Sequence, residues 1–263
     1  MFLLYSISAI LYAVTGLYLY NCLIKNTRIH KAMTLSAILV AALTHALLLI
    51  PQILTLYGLN FNIFNTLSLT SLFFLIFYGL FSAYRPILSL GVLALPTALL
   101  GLSVGYFGKA AYEPLTNLSI VLQVHILLSF AAYCVLLMAA LQAIILRLQI
   151  RELKRRSTHR FWVSKLPSLQ SMESLLFDMI LLGFVILSLA LGLGVVATYD
   201  ILAQHIAHKL AFSLLSWLIF GIFIVGHYKK GWRGKRAANF TIYGFGLLAV
   251  GFVGSKAVLE LIL

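Results

Sequence analysis

Apolar residues run along this chain in eight long stretches, broken by short segments that carry nearly all of the charge. The stretches are continuous rather than alternating with a period of two. Each is long enough to supply the ~20 residues that an α-helix needs to cross a hydrocarbon core ~30 Å thick. They fall at about Phe2 to Ile24, Ala32 to Tyr57, Phe61 to Ala83, Ile87 to Phe107, Leu118 to Leu148, Leu175 to Thr198, Leu210 to Tyr228 and Phe240 to Leu263. The pattern predicts an all-α polytopic membrane bundle of eight transmembrane helices, forming a single membrane domain over residues 1–263. The first stretch has no charged segment and no small-residue cleavage pattern before it, so it reads as a retained helix. Pro51 and Pro96 predict local kinks, and the fifth stretch is expected to project from the hydrocarbon layer.

Composition agrees with this pattern. At 62% hydrophobic and 10% charged residues the chain is outside the range of an ordinary soluble domain. The net charge of +13 raises the question of a nucleic-acid partner, which the placement of the cations answers in the negative. Sixteen of the nineteen Lys and Arg residues lie in the segments after the odd-numbered stretches; the other side holds only Lys109, Lys209 and Lys256. Basic loops are retained in the cytoplasm, so both termini are expected outside. Arg155, Arg156, Lys229, Lys230, Arg233, Lys235 and Arg236 are the expected topology determinants and contacts to anionic lipid headgroups, with the lipid bilayer as partner. The basic segment from Arg147 to Gln170, with Phe161 and Trp162, suits a lipid-facing anchor or a docking surface for another protein.

Candidate chemistry is confined to few residues. Cys22 and Cys134 both fall inside apolar stretches and read as buried structural thiols. Asp178 is the acidic residue clearly within a stretch, about one turn from its inner end, where snorkelling accounts for it. No paired carboxylates, nucleophile constellation or phosphate-cradling glycine loop is visible, which leaves a hydrolase or ATPase unsupported. His30 and His159 belong to basic loops, and His205 and His208 to an outer loop at a spacing that one helical turn could present together. His45, His125 and His227 differ because each lies in or at the edge of an apolar stretch. Ionisable groups inside a membrane are costly, so each is a functional candidate, open both to a hydrogen-bonded structural role and to iron ligation. From the helix rise, His45 stands ~20 Å above the inner end of its stretch and His125 ~10 Å below the outer end of its own, which puts them level. That depth makes the two a candidate pair for one haem iron, with His227 at the inner edge serving a second site or the entry step.

The segments VHILLSFAAY (Val124 to Tyr133), LPSLQSMESLLFDMILLGFVILSLALGLG (Leu166 to Gly194) and SWLIFGIFIVGHYKKGWRGKRAA (Ser216 to Ala238) carry a family resemblance. They resemble the CcsA-type cytochrome c assembly family, the haem-handling half of the system II synthase, and most of all its short YpjD- or HemX-like inner-membrane members. The resemblance is clearest over residues 122–263, and GWRGKRA after a histidine that ends an apolar stretch is its most specific part. It implies haem b as cofactor and haem ligands at His125, at an external site, and at His227, at a transmembrane site. It also implies a second membrane subunit of cytochrome c assembly as partner, and a bacterial inner-membrane location. The loop TYDILAQHIAHK has no tryptophan where the synthases carry a tryptophan-rich haem platform, and no histidine follows the last stretch. The expected function is therefore haem binding that assists cytochrome c assembly or haem transport, without covalent haem ligation and without an enzymatic step of its own. The alternative is a non-haem accessory protein, transporter or regulator on the same scaffold.

Overall fold

The computed structural model describes residues 1–56, 58–108, 118–154, 166–197 and 207–261, with side chains described over the same ranges except 207–209 and 252–261. Eight α-helices fill the described residues: α1 (Phe2–Lys25), α2 (Lys31–Ile53), α3 (Ile63–Tyr84), α4 (Gly91–Phe107), α5 (Ile120–Lys154), α6 (Leu169–Ala197), α7 (Ala207–Lys230) and α8 (Lys235–Leu261). Among the described residues, α1 to α7 contain stretches long and apolar enough to cross a membrane. A single turn of 3-10 helix, Leu88–Leu90, leads into α4. Two short strands, β1 (Leu54–Thr55) and β2 (Gly58–Leu59), pair antiparallel and reverse the chain between α2 and α3.

Helix ends follow capping chemistry rather than hydropathy. Asn62 precedes α3 and its side chain accepts a hydrogen bond from the Asn65 N–H at 2.8 Å, satisfying one of the donors a helix start leaves open. Ser168, just after Pro167, does the same for α6 through the Ser171 N–H at 3.3 Å. Thus α6 begins six residues before the apolar run at Leu175, and Asp178 lies in its third turn instead of one turn from its end. Helix α1 stops at Asn26 in the left-handed region (φ 53°), and α7 at Gly231 (φ 62°). Helix α5, at 35 residues, is ~52 Å long and exceeds the hydrocarbon layer, as expected. Pro51 sits inside the last turn of α2 and Pro96 inside α4.

The chain divides into two compact units, α1 to α4 and α5 to α8. In the first, α1 packs on α2 and α4, and α3 packs on the same two, closing a ring of four helices. Its core combines Tyr12, Leu19, Leu48, Leu75, Phe81, Leu95 and Leu102 with buried Ser8, Thr34, His45, Ser68 and Ser82. Close approach of α3 and α4 depends on small residues: a β-carbon at Gly101 or Gly105 would collide with Ser71 or Ser68. In the second unit α5 pairs extensively with α6, α7 with α8, and α5 with α8. Leu136, Leu146, Leu175, Leu176, Ile180, Phe220 and Phe223 form its core, and Cys134, like Cys22 of the first unit, is a buried thiol.

Candidate functional site

His45 is 0% exposed, midway along α2, and both of its ring nitrogens are engaged. Nδ1 lies 3.0 Å from the Tyr12 hydroxyl of α1, and Nε2 lies 2.9 Å from the Ser68 hydroxyl of α3. The Tyr12 hydroxyl also donates to the Ala41 carbonyl at 3.3 Å. With that donation made, Nδ1–H donates to the Tyr12 oxygen and Ser68 donates to Nε2, so every polar atom of the chain has a partner. Gly105 of α4 lies against Ser68. The four helices of the first unit therefore meet at one buried polar chain, with Ser8 and Thr44 adding a second link between α1 and α2 at 2.7 Å.

His125 is held differently. It lies in the second turn of α5, partly exposed, with Nδ1 2.8 Å from the Ala190 carbonyl oxygen of α6. A carbonyl only accepts, so Nδ1 must carry the hydrogen, and the neutral ring keeps its lone pair on Nε2. Gly194, one turn further along α6, makes room for the ring.

His227, in the last turn of α7, repeats this arrangement with a carbonyl from its own C-terminal loop: Nδ1 lies 2.8 Å from the Trp232 oxygen. Phe177 of α6 stacks on the imidazole at 3.9 Å between centroids and 19° between planes. The Trp232 ring covers Gly226, stacks on Phe240 of α8 at 5.0 Å, and lies beneath the Arg236 guanidinium at 5.4 Å. Lys229, Lys230, Arg233, Lys235 and Arg236 are all exposed around this end.

Thus on two of the three singled-out histidines the carbonyl at Nδ1 selects, for the neutral ring, the tautomer with its lone pair on Nε2, which is how an imidazole is set up to bind a metal. The third, His45, is saturated within its own unit, and it belongs to a different unit from His125. His30 is exposed at the start of α2, its N–H donating to the Tyr18 hydroxyl at 3.0 Å. Arg155, Arg156, His159, His205 and the side chain of His208 lie outside the described residues. Sequence reasoning passed over Tyr12 and Ser68 as partners of His45, and over Phe177 and Trp232 as partners of His227. For Trp232 a signal was present, since two glycines flanking it after a helix-ending histidine mark a chain that folds back.

Apolar membrane-length helices carrying histidines within them define a multi-pass helical membrane protein. A family model described as "Cytochrome C assembly protein" matches residues 33–263, and the chain belongs to that family. It is 28% identical over 238 residues to the inner membrane protein YpjD of Escherichia coli K12, covering 88% of each chain. It is also 28% identical over 147 residues to an uncharacterized 28.8 kDa protein of Azospirillum brasilense, covering 54% of this chain and 53% of that one. Over 94 residues it is 27% identical to the cytochrome c biogenesis protein CcsA of a Synechococcus strain, covering 35% of this chain and 27% of that one. No solved structure matches the chain.

Proposed function

We propose that the protein binds haem within the membrane and handles it for cytochrome c assembly or haem transport, with His125 and His227 as the iron ligands. The observation that carries this reading is the shared geometry of the two residues: Nδ1 anchored on a main-chain carbonyl at 2.8 Å, Nε2 left with its lone pair. Haem b bound there would supply an iron centre for transfer or redox sensing; the chain's own part is to hold each imidazole in one tautomer and, at His227, to cover one ring face with Phe177. The apolar residues around both histidines suit a porphyrin, and the exposed cations beyond His227 suit carboxylates or lipid headgroups. Ligation by His45 would cost it one of two buried hydrogen bonds, so its place in this reading is to anchor the first unit.

The same reading places α8 across the bilayer as an eighth span, both termini outside, the basic loops in the cytoplasm, and the protein in a bacterial inner membrane. That arrangement rests on the distribution of Lys and Arg. A second membrane subunit is the partner this reading includes, with family membership as its support. The deciding experiment is an absorbance spectrum of detergent-purified protein expressed with haem supply, before and after dithionite. A Soret band that His125→Ala and His227→Ala each weaken supports the proposal. A flat spectrum from folded, monodisperse protein overturns it in favour of a non-haem accessory or transporter role.

A further inference from the structure

The loop that follows α7 does more than reverse the chain. Gly231 takes up a left-handed conformation (φ 62°), and its N–H returns to the His227 carbonyl at 3.0 Å, the glycine-terminated ending common in helices. Trp232 is thereby folded beside the turn it has just left, its N–H facing the Gly226 carbonyl at 3.4 Å. Only with the chain so doubled back can the Trp232 carbonyl reach Nδ1 of a residue five positions earlier. The indole then locks the arrangement. It lies where a side chain at position 226 would be, since a β-carbon there would collide with Cε3, and it stacks on Phe240. Gly234 (φ 59°) turns the chain again into α8.

We infer that Trp232 is a positioning residue: its indole, seated on Gly226, holds its own carbonyl against His227 and so fixes the imidazole as the Nδ1–H tautomer with Nε2 ready for a ligand. This rests on the proposed haem reading for its purpose, but not for its test. The α7–α8 loop is in this view a part of the ligand site, contributing a carbonyl instead of a ligand atom. It also explains why glycine and tryptophan, rather than any two loop residues, stand at 231 and 232. Glycine tolerates the left-handed turn, and a large flat ring is what fills the notch at Gly226.

The test is a nitrogen-15 spectrum of full-length protein in detergent, labelled at the histidine ring nitrogens and free of haem, with the His227 signals assigned by their loss in His227→Gln. Wild-type protein is expected to show a single His227 pattern with Nδ1 protonated and Nε2 not. In Gly226→Ala, and in Trp232→Ala, that pattern gives way to a mixture containing the Nε2–H form, while Trp232→Phe, which keeps an aromatic ring in the notch, restores the wild-type pattern. If Gly226→Ala does not fold, the Trp232→Ala and Trp232→Phe pair decides alone. An unchanged tautomer in folded Trp232→Ala overturns the inference, as does an Nε2–H form in the wild type. On hemin titration, Trp232→Ala is expected to weaken binding by about 10–100-fold, the usual effect of removing a ligand's supporting hydrogen bond. A wild-type protein that takes up no hemin but shows the expected tautomers would sink the haem reading and leave the positioning role standing.

Discussion

His125 and Gly194 are fitted to one another: a β-carbon added at Gly194 would lie 2.8 Å from Cε1 and 3.1 Å from Nδ1 of the His125 ring. The contact is rigid on both sides, since Gly194 belongs to α6 and the ring is tied to the Ala190 carbonyl of the same helix. Gly194→Ala is therefore expected to displace the imidazole and weaken hemin binding by about 10–100-fold without unfolding the protein. Gly192→Ala is the internal control, because nothing lies within 4 Å of a β-carbon there. Soret titrations of the two variants side by side check this; equal affinities would disconnect His125 from the haem.

For His45 the proposed anchoring role and iron ligation predict different outcomes. His45→Leu roughly keeps the volume but leaves the Ser68 hydroxyl without its ring partner and removes the link from α1 to α3. The expected outcome is a loss of about 1–3 kcal/mol in stability, the usual cost of a buried polar group left unpaired, with the Soret band unaltered. Thermal unfolding in detergent together with an absorbance spectrum reads both. A vanished Soret band would make His45 a ligand after all.

The α3–α4 contact offers a purely steric test. A β-carbon at Gly101 would fall 2.1 Å from the Ser71 hydroxyl oxygen, and one at Gly105 would fall 2.5 Å from the Ser68 β-carbon. Each Gly→Ala change is expected to destabilise the protein by about 1–3 kcal/mol through overpacking, despite the helix-favouring residue it introduces. At Gly16 a new β-carbon meets only Leu95 at an ordinary 3.6 Å, and at Gly246 it meets nothing. Those two substitutions should be neutral or slightly stabilising in the same thermal assay.

Topology is open to reporter fusions. Alkaline phosphatase joined after Gly58 or after Phe107 is expected to be active, and joined after Arg28, Arg85 or Arg233 inactive, with a fluorescent protein giving the reverse. The prediction follows from the concentration of Lys and Arg in the segments after α1, α3 and α7. Activity on the basic side would invert the proposed orientation.

Much of the architecture was legible in the chain because a bilayer imposes a blunt requirement: about 20 apolar residues per crossing and the backbone bonded within each helix. Among the described residues each of the eight stretches contains a helix in the expected order, and seven of these helices are long and apolar enough to cross a membrane. Their ends were less legible, because hydropathy marks where lipid stops while hydrogen bonding marks where a helix stops. Gln170, Ser171 and Glu173 look like loop residues and are helical, since Ser168 caps the turn before them.

What the residues themselves determined was the membrane class, the sided distribution of cations and the family, and they singled out three histidines as candidates. What only the tertiary structure decided was which partners their ring nitrogens meet. Depth along a helix follows from rise per residue, so His45 and His125 could be placed at a level; rotation about the axis and choice of neighbour do not follow, because lipid-facing and helix-facing surfaces are equally apolar. The ring partners come from positions far away in sequence, Ala190 for His125 and Tyr12 and Ser68 for His45. It is those partners, and not the histidine's place in an apolar run, that engage both nitrogens of His45 and, among the described residues, only Nδ1 of His125 and His227.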